Sequence, residues 1–318
     1  MNQLLFCQGG VYDAGAGAYV PVGGCQTLDK TTLAIGASDP LVNVLVEGWE
    51  VAESPSTVLF GSAYATPLSY RWAAGKFTPT ASVPSRSRDR AKGARFGASL
   101  DRIIVATGGD DATTDIWTIA SESWSVGPPM SSVRDRAGMV GLLDGSVLVV
   151  GGFDKSSVPV PTSERLDAAG SKWTPHTFIP LISMSLVRLS DGRVLSLGGY
   201  DENGLPSSAV RRFDPATDAW APAKPLPMAR ADIAAILLPD GRVFAAGGQS
   251  YDGEFHSQPE TWFYDPLGDA WSPGPSLPKP RDSVSLAVVG KRVVVVGGQT
   301  VSGATIGYDT SILTLDLP

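Results

Sequence analysis

A short apolar run that ends in two glycines recurs along this chain at nearly constant spacing. Five copies end at Gly109, Gly152, Gly199, Gly248 and Gly298, and a degenerate sixth copy ends in Gly61-Ser62. The first glycines stand at positions 61, 108, 151, 198, 247 and 297, so the intervals are 47, 43, 47, 49 and 50 residues. Such a period indicates a repeat architecture, which constrains the fold more than any other feature.

An aromatic residue, usually followed two places later by proline, marks a second position in each period. The markers are Tyr19, Phe77, Trp124, Trp173, Trp220 and Trp271. Three periods also carry an Asp-Gly pair before the apolar run, at Asp144, Asp191 and Asp240. Asp-Gly pairs favour two-residue hairpins with primed turns. We therefore expect four short strands in each period, since no longer segment shows helical periodicity.

Repeats of about 40 to 50 residues with four strands each are typical of propeller blades. The order here is an apolar run, Gly-Gly, a spaced Tyr/Phe-Asp such as Phe213-Asp214, and then tryptophan. This order resembles the kelch repeat family over roughly residues 41–318, together with the fragment from Tyr12 to Pro21. The Asp-Gly-Arg-Val segments at 191–194 and 240–243 are similar to those of bacterial and galactose-oxidase-type kelch propellers. The resemblance implies an all-β propeller.

Six Gly-Gly-type strands and six aromatic markers predict one six-bladed propeller domain over residues 1–318. The predicted blades are 41–80, 81–127, 128–176, 177–223, 224–274 and 275–318, with an insertion at 22–40. We expect residues 1–22 to supply the outer strand of the last blade, which would close the ring and remove an exposed sheet edge. Seven blades are the alternative if Leu4 to Gly10 is a true Gly-Gly strand, although Tyr12-Asp13 follows too closely for the usual loop.

The composition excludes several classes of protein. The net charge of −7 and pI near 4.9 argue against a nucleic-acid-binding surface. No apolar run approaches the roughly 20 residues that cross a bilayer, and the first residues lack the pattern of a signal peptide. We therefore expect no membrane or nucleic-acid partner, and a cytoplasmic location by default. Cys7 and Cys25 could form one bridge, but two reduced thiols are expected in that compartment.

Arginines cluster near the first strand of the predicted blades, at the same end as the loops that follow Gly-Gly. Arginine offers forked donors to carboxylates, and aromatic rings offer stacking faces. We therefore predict a recognition surface around the ring, with no catalytic residue assigned. The candidate residues are Arg90, Arg134, Arg136, Arg230, Arg281, Asp110, Asp154, Asp201, Tyr200 and Tyr251.

A structural role is the competing interpretation for most of these residues. Arginine at this position of kelch repeats often packs between blades, which applies to Arg134, Arg230 and Arg281, whereas Arg136 lies where kelch pockets hold ligand-contacting arginines. Aspartates after Gly-Gly are turn residues first. The tryptophan markers are expected in the core, and Trp117 and Trp262 between blades.

The motifs for enzymatic chemistry are mostly absent. His176 and His256 are the only histidines, and neither adjoins a tyrosine, which argues against the copper site of galactose-oxidase-like kelch enzymes. We expect no metal and no cofactor. The leading hypothesis is a non-catalytic binding module that presents its loops to a protein, or to a glycan, within a larger assembly. The alternative is a sugar mutarotase or isomerase that acts on a small molecule in the central pocket.

Overall fold

A computed structural model describes residues 3–316 except 8–9, 14–17, 22–24, 30–48, 55–56, 62–68, 74–75, 87, 89–90, 109–110, 179–180 and 310. Side chains are described from Thr57 onward, apart from these gaps and residues 60, 72, 76, 77 and 177. Cys7, Cys25, Arg90, Asp110 and Phe77 therefore have no described side chain. The described segments form β-strands joined by turns and loops.

The strands are numbered in chain order. The first ten are β1 (Gln3–Cys7), β2 (Gly10–Asp13), β3 (Ala18–Pro21), β4 (Cys25–Asp29), β5 (Trp49–Ser54), β6 (Thr57–Gly61), β7 (Ser69–Ala73), β8 (Lys76–Pro79), β9 (Lys92–Phe96) and β10 (Arg102–Ala106). The next ten are β11 (Thr114–Thr118), β12 (Ser123–Gly127), β13 (Gly138–Gly141), β14 (Val147–Val150), β15 (Thr162–Leu166), β16 (Trp173–Thr177), β17 (Ser185–Arg188), β18 (Val194–Leu197), β19 (Val210–Asp214) and β20 (Ala219–Pro222). The last eleven are β21 (Ala234–Leu237), β22 (Val243–Ala246), β23 (Gln249–Tyr251), β24 (Phe255–Ser257), β25 (Thr261–Asp265), β26 (Ala270–Pro273), β27 (Ser285–Val289), β28 (Arg292–Val296), β29 (Gln299–Ser302), β30 (Thr305–Tyr308) and β31 (Ile312–Asp316).

The prediction of four antiparallel strands per period is confirmed for five periods. The sheets have the strand orders β5-β6-β7-β8, β9-β10-β11-β12, β13-β14-β15-β16, β17-β18-β19-β20 and β21-β22-β25-β26. Each is a meander whose second strand is the apolar run before Gly-Gly, and whose fourth strand begins at or next to the aromatic marker. The chain is therefore all-β, with sheets like those of a β-propeller.

The last period forms a sheet of three strands, β27-β28-β31. This number matches the three strands expected from 281–318. In the described part of the chain, β3 pairs with β2, and β1 pairs with β4. The predicted pairing of the N-terminal segment with β31 is therefore not seen among the described strands. Strand β4 also lies in the predicted insertion, and its register places Cys25 opposite Cys7.

The chain divides into two compact units. The first comprises residues 1–149, 153–157 and 164–175, and the second comprises 150–152, 158–163 and 176–318. In the first unit, one core cluster joins adjacent sheets through Phe96, Ile104, Val149 and Trp173. In the second unit, an equivalent cluster contains Leu195, Leu197, Val243 and Trp262. Since the members come from neighbouring sheets, burial between sheet faces stabilises each unit.

The tryptophan markers form hydrogen bonds as well as apolar contacts. Trp173 is 6% exposed, while Trp124, Trp220 and Trp271 are only partly buried. Each indole Nε1–H donates a hydrogen bond of 2.9–3.0 Å: Trp124 to Ser69, Trp173 to Pro128, Trp220 to Ser163 and Trp271 to Lys224. Trp117 and Trp262 pack against the preceding sheet, as predicted.

The prediction of primed turns at the Asp-Gly pairs is wrong. At Asp144-Gly145 only the glycine has a positive φ, of 81°, whereas a type I′ turn requires positive φ at both central residues. Gly145 N–H donates to Leu142 O, and Leu142 N–H donates to Ser146 O. This is a three-residue hairpin with a glycine bulge. The Asp144 carboxylate accepts the Ser146 N–H at 3.0 Å, which holds the aspartate in the turn instead.

At Gly151, Gly198 and Gly247, the first glycine of the pair is required by space as well as by conformation. Gly198 has φ of 59°, and a Cβ there would lie 2.3 Å from the carbonyl oxygen of Arg230, in the next repeat. Gly247 meets the carbonyl oxygen of Arg281 at 2.2 Å in the same way. In the second period the pattern is shifted by one residue. Thr107, with φ of 64°, occupies the position of Gly198, and Gly108 donates its N–H to Arg134 O as Gly199 donates to Arg230 O.

Candidate functional site

Four arginines before the first strands are buried rather than displayed. Arg88, Arg134, Arg230 and Arg281 are each at most 1% exposed. Each forms an ion pair with a carboxylate from the third-strand region of its own sheet: Arg88 with Asp115 at 3.1 Å, and Arg134 with Glu164, Arg230 with Glu260 and Arg281 with Asp309 at 2.9 Å. In the structure, Arg134, Arg230 and Arg281 are therefore buried in ion pairs, which corresponds to the structural interpretation of these residues.

The same arginines hold successive repeats together through their backbone. The second glycines Gly199 and Gly248 donate their N–H groups to the carbonyl oxygens of Arg230 and Arg281, both at 2.9 Å. Gly152 donates in the same way to Leu181, which occupies the arginine position of its repeat. The loops after Gly-Gly thus share an end of the sheets with the arginines, as predicted from the sequence.

A polar chain links three successive repeats at this end of the second unit. The polar chain comprises Asp232, Tyr200, Gln249, Asp282, Ser257 and Ser283. The Tyr200 hydroxyl lies 2.8 Å from Asp232 Oδ2 and 2.9 Å from Gln249 Oε1, and its single proton can be donated to either oxygen. The Gln249 side chain also hydrogen-bonds to Asp282.

Asp282 is the buried end of the polar chain. It is 0% exposed, and its carboxyl accepts hydrogen bonds from the hydroxyls of Ser283, at 2.9 Å, and Ser257. Burial raises the pKa of Asp282, while the hydrogen bonds from Ser257, Ser283 and Gln249 act in the opposite direction. The polar chain therefore contains a buried carboxyl whose hydrogen-bond donors, Ser257, Ser283 and Gln249, are neutral.

The loops after the last two Gly-Gly pairs form a sheet of their own, which was not predicted from the sequence. This accessory sheet has the strand order β23-β24-β29-β30. Its two hairpins are joined by the pairing of His256 with Ser302 and by the Val301 N–H, which donates to Ser257 Oγ at 2.7 Å. The accessory sheet is thus attached to the polar chain through Ser257.

Large apolar side chains of the accessory sheet are exposed. Tyr251 is 46%, Ile306 57% and Tyr308 39% exposed. Tyr251 packs against Phe255, whose ring centroid is 5.0 Å away, and Phe255 also meets the edge of Tyr200. Tyr251 lies on β23, whereas Ile306 and Tyr308 lie on β30, the opposite edge strand of the accessory sheet. Exposed aromatic and aliphatic side chains are typical of an interaction surface.

Residues of left-handed conformation recur two places after the arginine position. Arg136, Ser183, Asp232 and Ser283 have φ of 54°, 51°, 50° and 53°. Two of them, Asp232 and Ser283, belong to the polar chain. The Arg136 side chain is 46% exposed, and its Nε lies 3.9 Å from Asp135 Oδ2. Arg136 is therefore the described candidate arginine whose side chain reaches solvent.

The other candidates take different positions. Asp154 and Asp201 accept backbone N–H groups two residues on, from Ser156 and Asn203, and so shape their turns. Tyr200 and Tyr251 both lie in the aromatic group around Phe255. Arg90 and Asp110 lie outside the described residues. The members of the polar chain that were not predicted from the sequence include Asp232, Ser257 and Asp282. The signal for Asp232 and Asp282 was their place beside the arginine positions.

The described residues contain no group of three His, Cys, Asp or Glu side chains placed to hold a metal ion. His256 Nε2 lies 3.3 Å from Asp252 Oδ1, and His176 Nε2 lies 3.3 Å from Asp218 Oδ2. Over the described ranges, no helix is long and apolar enough to cross a membrane.

Comparison with known proteins gives a fold and no family. No protein-family model matches the chain, and no curated protein sequence matches it. A solved structure described as "Structure of YjhT" is similar, with a TM-score of 0.64 and 16% sequence identity. The similarity covers 84% of this chain and 94% of that one. At this identity the likeness concerns the fold alone.

Proposed function

We propose that the chain is a six-bladed kelch-type propeller that acts as a non-catalytic binding module for a protein partner. Five four-stranded sheets and a sixth of three strands support six blades. In this proposal the predicted closing segment, residues 1–22, supplies the missing outer strand beside β31. Closure in this way would satisfy an edge whose backbone groups otherwise face solvent.

The closure has a direct test. In a background with Cys7 and Cys25 replaced by serine, single cysteines are placed in 18–21 and in β31, and the chain is oxidised. Rapid disulfide formation for one register, with none for cysteines placed in β12 instead, is the expected result. Equal yields at both sites would contradict closure by this segment.

The accessory sheet is the observation that carries the binding function. It exposes Tyr251, Ile306 and Tyr308, whereas the buried arginines and Asp282 make internal hydrogen bonds. Groups that are held internally position loops, while exposed apolar groups gain free energy when a partner covers them. A protein partner fits this exposed area better than a small polar substrate does.

The test compares proteins that cross-link to the chain in its host. The variant Tyr251→Ser/Ile306→Thr/Tyr308→Ser should lose its specific partners and keep its thermal stability, because these side chains are exposed. Val126, which is 70% exposed on β12, provides the control Val126→Thr. An unchanged set of partners for the triple variant would contradict the proposal. Arg136→Asn tests whether the exposed arginine contributes to the same binding.

The polar chain favours a second candidate, a small-molecule enzyme of the mutarotase or isomerase type. A buried carboxyl of raised pKa, connected through Gln249 to Tyr200 and Asp232, is suited to acid–base chemistry. In that case Asp282→Asn and Tyr200→Phe would each abolish the catalysed exchange of sugar anomers, measured by NMR. Under the binding proposal, the wild type shows no exchange above the uncatalysed rate.

A further inference from the structure

The outer edge of the accessory sheet is open among the described strands. Strand β30 pairs with β29 and with no other described strand. The register is Ser302 opposite Thr305, Val301 opposite Ile306, and Gln299 opposite Tyr308. The segment from Thr305 to Tyr308 contains no charged residue and no proline, which are two of the features that commonly protect an edge strand.

The direction of the free backbone groups follows from the neighbouring hydrogen bonds. Val301 N–H points to Ser257 Oγ, and Gln299 N–H points to Asp282 O, so both face away from β30. In an antiparallel pair, opposite residues either exchange both bonds or neither. Ile306 and Tyr308 therefore direct their N–H and C=O groups toward the open edge.

The side chains at this edge have a defined pattern. Ile306 and Tyr308, two residues apart, project from the same face of the strand, and both are exposed. An added strand would place alternate apolar side chains beside them and its remaining side chains on the opposite face. This arrangement is strand addition, in which backbone bonds supply affinity and alternate side chains supply specificity.

The charge of the two hairpins indicates which strand fits. The segments 249–258 and 299–308 contain Asp252 and Glu254 and no lysine or arginine. Glu254 lies over the turn between β29 and β30, where its Oε2 would be 2.5 Å from a Cβ on Gly303. This carboxylate is therefore close to the end of the open edge, within the roughly 10 Å over which charges act at moderate salt.

We propose that β30 receives an extended segment of a protein partner that alternates apolar and basic residues. This proposal rests on the proposed binding function and names the place and chemistry of the contact. A second copy of the chain fits less well, because its own 299–308 hairpin contains no lysine or arginine to pair with Glu254.

The probe is a fluorescent peptide with three Lys-Val repeats, compared with the same peptide carrying Glu in place of Lys. Binding to the full chain is measured by anisotropy. We expect the basic peptide to bind at least fivefold more tightly than the acidic one. Ile306→Pro should weaken the basic peptide at least tenfold, because proline removes an outward N–H that β29 does not use.

Val126→Pro is the matched control. Val126 is exposed on the outer strand β12. Its backbone N–H also faces outward, because the backbone N–H of Trp124, two residues earlier, donates to Ser82 Oγ. This variant should bind the basic peptide like the wild type. Equal binding by Ile306→Pro, or equal affinity for both peptides, would overturn the proposal.

Two further outcomes separate the proposals. If sedimentation shows a dimer that Ile306→Pro converts to a monomer, and no peptide binds, the edge belongs to a second copy and strand addition by a basic partner is refuted. If the host partners are lost with the Tyr251, Ile306 and Tyr308 side-chain variant but retained by Ile306→Pro, the binding function stands and strand addition is refuted.

Discussion

Breaking the buried pair between Arg134 and Glu164 should destabilise the chain far more than breaking an exposed pair of similar geometry. The Nε–Oε1 distance is 2.9 Å, and the side chains are 0% and 1% exposed. Removing one partner leaves the other charge buried without compensation, which costs about 3–5 kcal/mol. We therefore expect Arg134→Met to lower the free energy of unfolding by about that amount.

The exposed control is Arg292, whose Nε lies 2.8 Å from Asp316 Oδ1 with side chains 48% and 82% exposed. Arg292→Met should cost at most about 1 kcal/mol. Urea titration followed by tryptophan fluorescence measures both, with the slope compared to detect separate unfolding of the two units. The double variant Arg134→Met/Glu164→Leu should recover most of the loss. Equal costs for Arg134→Met and Arg292→Met, or no recovery, would refute the reasoning.

Three further perturbations have outcomes fixed by the structure. Gly198→Ala should lower the unfolding free energy by well over 1 kcal/mol, because it adds a clash with the carbonyl of the next repeat to the cost of a positive φ. The control Gly204→Ala, at a residue with φ of 73° and open space around it, should cost about 1 kcal/mol. Equal urea midpoints would contradict the close-approach argument. Leu181→Arg should destabilise the fourth sheet, because Arg211 occupies the position that Glu164 occupies in the preceding sheet, so the new arginine would meet a like charge. Adding Arg211→Glu should restore the melting temperature. A double variant less stable than Leu181→Arg alone would contradict that alignment. Because its folded pKa is raised, Asp282 contributes stability below its unfolded pKa that is lost as pH rises through the folded value. Asp282→Asn should therefore gain stability relative to the wild type as pH rises above about 4. A pH-independent difference in unfolding free energy would contradict burial of the carboxyl.

The repeating parts of the fold were predictable because they depend on local sequence. Gly198 and Gly247 are both glycines because a carbonyl oxygen of the next repeat approaches them closely. The apolar runs before them form second strands because both of their faces are buried. The Asp-Gly turns were assigned the wrong type because the Asp144 carboxylate accepts Ser146 N–H, a side-chain contact that favours the three-residue hairpin. The two types differ by one residue in the loop, which composition does not reveal.

The carboxylate partners of the arginines could not be predicted from the repeat. Glu164 lies two residues after the position that accepts the Gly151 N–H, whereas Glu260 lies at the equivalent position and Asp309 two residues before it. All three carboxylates reach their arginines because side-chain length and direction compensate for the shift. A repeating function is therefore served by residues that do not repeat in sequence.

The accessory sheet had a signal in the spacing. From the second glycine to the third strand there are 9 residues at 153–161 and 10 at 200–209, but 12 at 249–260 and 13 at 299–311. The two longer loops contain alternating segments beginning at Gln249 and Gln299. Their pairing with each other could not be predicted, because it depends on the distance between neighbouring repeats.

The hairpins that form the proposed docking edge are attached to Asp282. Ser257 Oγ accepts the Val301 N–H and donates to Asp282, so this hydroxyl ties β24 and β29 to the polar chain, in addition to the two backbone hydrogen bonds between Gln299 and Asp282. An edge strand offers affinity only if its backbone is already in place, since ordering it on binding would consume the free energy of the new hydrogen bonds. Ser257→Ala should therefore weaken the basic peptide while leaving every β30 residue unchanged, and the loss should come from a larger entropic cost of binding in calorimetry. A loss that is enthalpic instead would mean that Ser257 contacts the peptide and does not act by holding the hairpins.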